Sequence, residues 1–104
     1  MRRYTSKEVK DILTKAFPER EPFCFAILNW YRKQGYVAQS FPGSNDYSES
    51  DLQRIAWLTE LRLAGISISK IKDHPEFLKK ALDRFHHRVQ MRLEKAQDEL
   101  FKVY

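Results

Sequence analysis

Between residues 78 and 103 apolar side chains recur with the spacing of a coiled-coil seam. Leu78, Leu82, Phe85, Val89, Leu93, Ala96, Leu100 and Val103 step by 4, 3, 4, 4, 3, 4 and 3 residues, a heptad pattern interrupted by one extra-residue stutter. About 28 residues rising ~1.5 Å each make a rod of roughly 40 Å. A lone rod of that length leaves its seam wet, and a chain of 104 residues forms one compact domain that cannot cover all of it. A partner helix is the simplest cover. Leu78, Leu82, Phe85, Val89, Leu93, Ala96 and Leu100 are therefore expected to pair in a homodimer.

Upstream of the rod the chain reads as a series of shorter helices. Thr5 followed by Glu8 forms a capping box, in which the threonine side chain accepts from the backbone at Glu8 and the glutamate reaches back. Val9, Ile12, Leu13 and Ala16 follow at helical spacing, predicting a helix from Ser6 to Ala16 that stops before Pro18. Pro18 and Pro22, with charges between them, make residues 17–24 a loop. A second helix is expected over 23–34, with Ile27, Leu28, Trp30 and Tyr31 supplying apolar surface and Gly35 in the left-handed closing position. Tyr36 and Val37 read as a short extended step.

Pro42, Gly43, Ser44, Asn45 and Asp46 give a hairpin-like or irregular loop between Ser40 and Tyr47. Ser48 with Asp51 opens the next helix, where Leu52, Ile55, Ala56, Leu58 and Leu61 share a broad face, and Gly65 ends it. Ser67 caps a short helix from Ile68 to about His74, stopped by Pro75. The pattern divides the chain into residues 1–74 and a long helix over 75–104.

Composition narrows the function classes. Apolar residues make up 42% and charged residues 32%, as in a globular protein. No run of about 18 apolar residues exists, so no membrane association is expected. The basic start, Arg2-Arg3-Tyr4-Thr5, has no apolar stretch behind it and does not read as a signal peptide. Cys24 is the sole cysteine, which points to a reducing, cytoplasmic setting and to a small buried or capping residue. The net charge of +5 suits a polyanionic partner. It is unevenly spread: residues 1–37, 38–74 and 75–104 carry +4, −1 and +2.

Four segments, in this order, resemble the MerR-type transcriptional regulators. They are Tyr4-Thr5-Ser6-Lys7-Glu8-Val9, Leu28-Asn29-Trp30-Tyr31-Arg32-Lys33-Gln34-Gly35-Tyr36-Val37, Tyr47-Ser48-Glu49-Ser50-Asp51-Leu52, and Leu61 to Lys72 with Leu63-Ala64-Gly65-Ile66-Ser67 at its centre. The resemblance spans essentially the whole chain. It implies a mainly α fold, a winged helix-turn-helix followed by a long C-terminal coiled-coil helix, acting as a homodimer on double-stranded DNA. Its implied setting is the bacterial or phage-encoded nucleoid. The chain departs from the family pattern in three ways. The interval from Val9 to Leu28 is about eight residues longer than usual. Asn29 stands where the family has an arginine, and Asp46 stands where a wing arginine is common. Nothing corresponds to the family's effector domain.

Helical spacing sets Phe25, Ala26, Asn29, Arg32 and Lys33 opposite Leu28 and Tyr31, on the face that a recognition helix turns to the major groove. Asn29 has the chemistry for a bidentate contact to adenine and Ala26 for a thymine methyl. Arg32 and Lys33 suit phosphates. The resemblance implies a phosphate contact from the Tyr31 hydroxyl. Tyr4 and Thr5 begin the first helix, whose free amides can hold a phosphate. Ser44 and Asn45 are the donors of a wing with no Lys or Arg between residues 34 and 53. Arg54, Arg62, Lys70 and Lys72 are further backbone candidates. Each of these also has a plain structural reading as solvated face, cap or core aromatic.

Enzyme chemistry is not expected: no nucleophile elbow, Gly-rich phosphate loop or paired carboxylates occur. His86 and His87 point about 100° apart on a helix and do not make a zinc site, so neither metal nor cofactor is expected. The expected function is sequence-specific transcriptional regulation on a roughly palindromic site. Two alternatives stand beside it. One is a phage or mobile-element accessory protein of the excisionase or terminase-small-subunit kind. The other is a protein-interaction module using Phe23, Phe25, Phe41 and Asp46.

Overall fold

The computed structural model describes residues 3–37, 47–67 and 75–101; the side chains at 75, 77–79, 81 and 82 are not among those described. The chain is mainly α-helical. Strand β1 (Arg3–Tyr4) leads into α1 (Ser6–Ala16), α2 (Phe25–Lys33), strand β2 (Tyr47–Ser48), α3 (Glu49–Leu63) and α4 (Pro75–Leu100).

The two strands form a small antiparallel ribbon with Arg3 opposite Ser48 and Tyr4 opposite Tyr47. Each strand runs straight into a capping box. Glu8 N donates to Thr5 Oγ1 and Thr5 N to Glu8 Oε1, both at 3.1 Å. Asp51 N donates to Ser48 Oγ and Ser48 N to Asp51 Oδ2, again at 3.1 Å. Both boxes satisfy amides that the first helical turn would leave orphaned. Strand pairing thus sets the starts of α1 and α3 side by side. Residues 3–4 carry no strand signal of their own, and the ribbon is a contact the sequence reading did not anticipate.

Helices α2 and α3 end alike. Gly35 and Gly65 take φ of 79° and 85°. Tyr36 N then donates to Tyr31 O at 3.0 Å and Ile66 N to Leu61 O at 2.9 Å, the six-to-one bond of a Schellman motif. Tyr36 and Val37 form bends rather than an extended step.

The loop before α2 is anchored. Phe17 and Phe23 are buried, and Phe23 N donates to Thr14 Oγ1 at 3.0 Å. Helix α2 accordingly begins at Phe25 rather than residue 23. Cys24 sits at its N-cap with extended backbone, exposed, and makes no side-chain capping bond. It is not buried; it occupies the capping position with N-cap backbone geometry, but the thiol, a weak hydrogen-bonding group, caps nothing.

Helix α4 packs on α1 and α3. Val89, Leu93 and Ala96, expected in a dimer seam, are 0%, 3% and 2% exposed in the chain's own core. They meet Val9, Ile12, Leu13, Leu52, Ile55 and Leu61 in one cluster. Covering that stretch of the rod intramolecularly satisfies the same apolar stripe that a partner helix was expected to satisfy. Phe85 packs partly on the cluster and Leu100 is exposed. The side chains of Leu78 and Leu82, the loop at 40–46 and the short helix expected over 68–74 lie outside the described residues.

One side chain ties the layers together. The Arg92 guanidinium donates to both carboxylate oxygens of Glu19, and its Nη1 also reaches Ala16 O, the C-terminal carbonyl of α1, at 2.8 Å. Its Nε lies 3.0 Å from Glu60 Oε2, and the group stacks 4.9 Å from the Phe17 ring centroid. Arg88 adds a second cation, 3.4 Å from Glu60 Oε1.

Candidate nucleic-acid interface

Helix α2 presents two chemically distinct faces. Leu28 and Tyr31 are buried, whereas Ala26, Asn29 and Lys33 are exposed. Phe25 and Trp30 are 49% and 43% exposed, large apolar areas for a surface helix. The segment FAILNWYRK contains no acidic residue and ends on two cations, Arg32 and Lys33.

An open depression of about 500 Å³ joins this face to the start of α1. Thr5, Ser6 and Lys7 line it from one side, Phe25 and Asn29 from the other, with Tyr47 of the ribbon between. The capping box draws Thr5 into place, the ribbon brings Tyr47 alongside, and the Phe23–Thr14 anchor sets the start of α2. Lys10 lies with Nζ 5.2 Å from the Phe25 ring centroid. No carboxylate occurs among the described residues that line the depression. Lys7 was not among the expected contacts, whereas Phe25 was placed on this face without a contact assigned to it. Lys7 was legible as the first cation after the Thr5 cap.

Several expected contacts fall elsewhere. Tyr4 is 2% exposed and belongs to the core, because strand pairing with Tyr47 turns it inward. Tyr31 is fully buried, and its hydroxyl has no hydrogen-bond partner among the described residues. Its ring meets Trp30 at 5.2 Å and Tyr36 at 6.1 Å, so a phosphate contact from this hydroxyl does not follow from the fold. Of the adjacent aromatic pair, Trp30 faces outward. Burial, with a smaller contribution from Tyr31, pushes the Tyr36 phenol above its ordinary pKa. Arg32 is half-buried, its guanidinium 4.5 Å over the Tyr47 ring, which ties α2 to the ribbon. Thr5 is exposed but its hydroxyl already accepts from Glu8 N. Ser44 and Asn45 lie outside the described residues, as do Phe41, Asp46, Lys70 and Lys72.

The other surface residues divide similarly. Arg54 is exposed and donates to Tyr36 O at 3.3 Å. Arg62 borders a second, smaller depression of about 300 Å³ with Arg20, Thr59 and Leu63. Phe23 is buried and therefore cannot belong to a docking surface with Phe25. The His86 ring lies 5.6 Å from that of Trp57 at a tilt of 52°, and both His86 and His87 are exposed. No cluster of three His, Cys, Asp or Glu that would hold a metal occurs among the described residues. No helix among them is long and apolar enough to cross a membrane. No family model, curated protein or solved structure matches the chain.

Proposed function

We propose that this chain is a MerR-like winged helix-turn-helix protein that binds duplex DNA sequence-specifically and regulates transcription. Helix α2 enters the major groove and α1 approaches the adjacent backbone. The observation that carries this reading is the exposed, acid-free face of α2. Ala26, Asn29 and Lys33 stand on it, and Asn29 lines, with Lys7, a depression free of carboxylates. Asn29 reads a base edge, and Lys7 and Lys33 hold phosphates, which orient the protein without specifying sequence. The order of the four resembling segments gives further support.

Two copies form the binding unit in this reading. With Val89, Leu93 and Ala96 inside the core, the second copy docks on what α4 leaves outside, where Leu100 and Phe101 are exposed at its C-terminal end.

Selection from a random-sequence duplex library tests the reading, with wild type beside Asn29→Ala plus Lys33→Ala. A two-fold-symmetric site enriched by wild type and lost in the variant is the expected result. Affinity should fall steeply with salt. Equal, unenriched binding by both proteins sinks it.

A second reading draws on the exposure of Phe25 and Trp30: α2 as a docking face for another protein. It predicts no salt-sensitive DNA binding at all.

A further inference from the structure

We infer that the DNA half-site under α2 is an A·T step, with Asn29 paired to an adenine and the Phe25 ring packed on a thymine 5-methyl group. This rests on the duplex-DNA reading above and specifies the base composition that reading leaves open.

Phe25 and Asn29 are four residues apart on α2 and line the same depression. Residues at that spacing are stacked neighbours on a helix face, about 5–6 Å between Cβ atoms. A carboxamide and an apolar ring therefore stand side by side, within reach of adjacent base pairs. Half of the Phe25 ring is in water, and Lys10 lies against it at 5.2 Å. Exposed Ala26 extends the apolar strip.

The major-groove edges of the bases select among partners for this pair. Adenine alone offers the adjacent acceptor and donor that a carboxamide matches with two hydrogen bonds. Thymine alone offers an apolar group, its methyl. A guanine under Phe25 would have its O6 and N7 acceptors desolvated against a ring that donates nothing. The side chain that most often reads guanine is arginine. The arginine of α2, Arg32, is instead stacked on Tyr47 at 4.5 Å. The cations by the depression, Lys7 and Lys10, suit phosphates.

The test changes the DNA rather than the fold. The duplex enriched by wild type is synthesised with thymine and again with uracil, which keeps every hydrogen-bonding group and lacks the methyl. Wild type should bind the uracil form about fourfold more weakly for each methyl contacted. Phe25→Ala, a substitution at a half-exposed position, should lose about fourfold of that discrimination, the share of one methyl. An enriched site that binds equally in both forms, or one rich in G·C beneath α2, overturns the inference and leaves the duplex-DNA reading standing. Absence of any salt-sensitive duplex binding overturns both.

Discussion

Arg92 Nε lies 3.0 Å from Oε2 of Glu60, a carboxylate whose side chain is only 4% exposed. The pair joins α4 to α3 at the centre of the helical layers. Breaking a fully buried pair costs about 3–5 kcal/mol, but Arg92 is about a quarter exposed and Glu60 keeps Arg88 3.4 Å from its Oε1. Arg92→Met should therefore destabilise the fold by less than that range. The same change in a Glu60→Leu background should cost less, because no buried carboxylate is then left to Arg88 alone. Urea denaturation of the four proteins measures the coupling. Equal costs in both backgrounds would show that Arg92 acts through Glu19 and Ala16 instead.

The Glu19–Arg92 pair sets an acid-side limit. The Arg92 guanidinium, by its hydrogen bonds, holds the Glu19 carboxyl below its ordinary value of 4.5. A carboxyl depressed in the folded state stabilises fully above the unfolded pKa and loses that contribution as pH falls through the folded one. Thermal stability should fall as pH is lowered below about 4.5. Glu19→Gln should flatten that part of the profile while lowering stability at neutral pH. Glu19 is nearly half exposed, so added salt should shrink the difference. A profile unchanged by the substitution would assign the acid limb to other carboxylates.

Leu93 distinguishes a core from a dimer seam. It is 3% exposed within a single chain, and Leu→Ala at a buried site typically costs about 2–5 kcal/mol. The loss in Leu93→Ala should be the same at low and high protein concentration. A loss that grows on dilution would instead make Leu93 an intermolecular contact.

Helix α2 lacks the cap that α1 and α3 possess. Cys24 already has the extended φ and ψ of an N-cap, −130° and 166°, but makes no side-chain capping bond. Cys24→Ser should supply one to an amide of the first turn and stabilise the protein by about 0.5–1 kcal/mol. Denaturation midpoints read the effect, and Cys24→Ala serves as the control that removes the thiol without adding a cap.

Helix boundaries with local causes were legible in the sequence; the start of α2 was not, because the distant contact of Phe23 with Thr14 holds residue 23 outside the helix. Thr5 with Glu8 and Ser48 with Asp51 close hydrogen bonds within one turn, and Gly35 and Gly65 supply the left-handed residue that ends a helix. The exposed face of α2 was legible for the same reason, since 3.6-residue periodicity separates Asn29 and Lys33 from Leu28 and Tyr31. What covers an apolar stripe is a different matter. The heptad spacing of Val89, Leu93 and Ala96 is a property of one helix and is satisfied equally by a second chain or by α1 and α3. Only the tertiary packing chose the latter. It likewise paired Tyr4 with Tyr47, drawing both tyrosines inward, and enclosed Tyr31 while leaving Trp30 outside. Hydrogen-bonded caps and periodicity depend on neighbours a few residues away, which the sequence states directly. Burial depends on which distant surfaces meet, and that is decided by the free energy of the whole core.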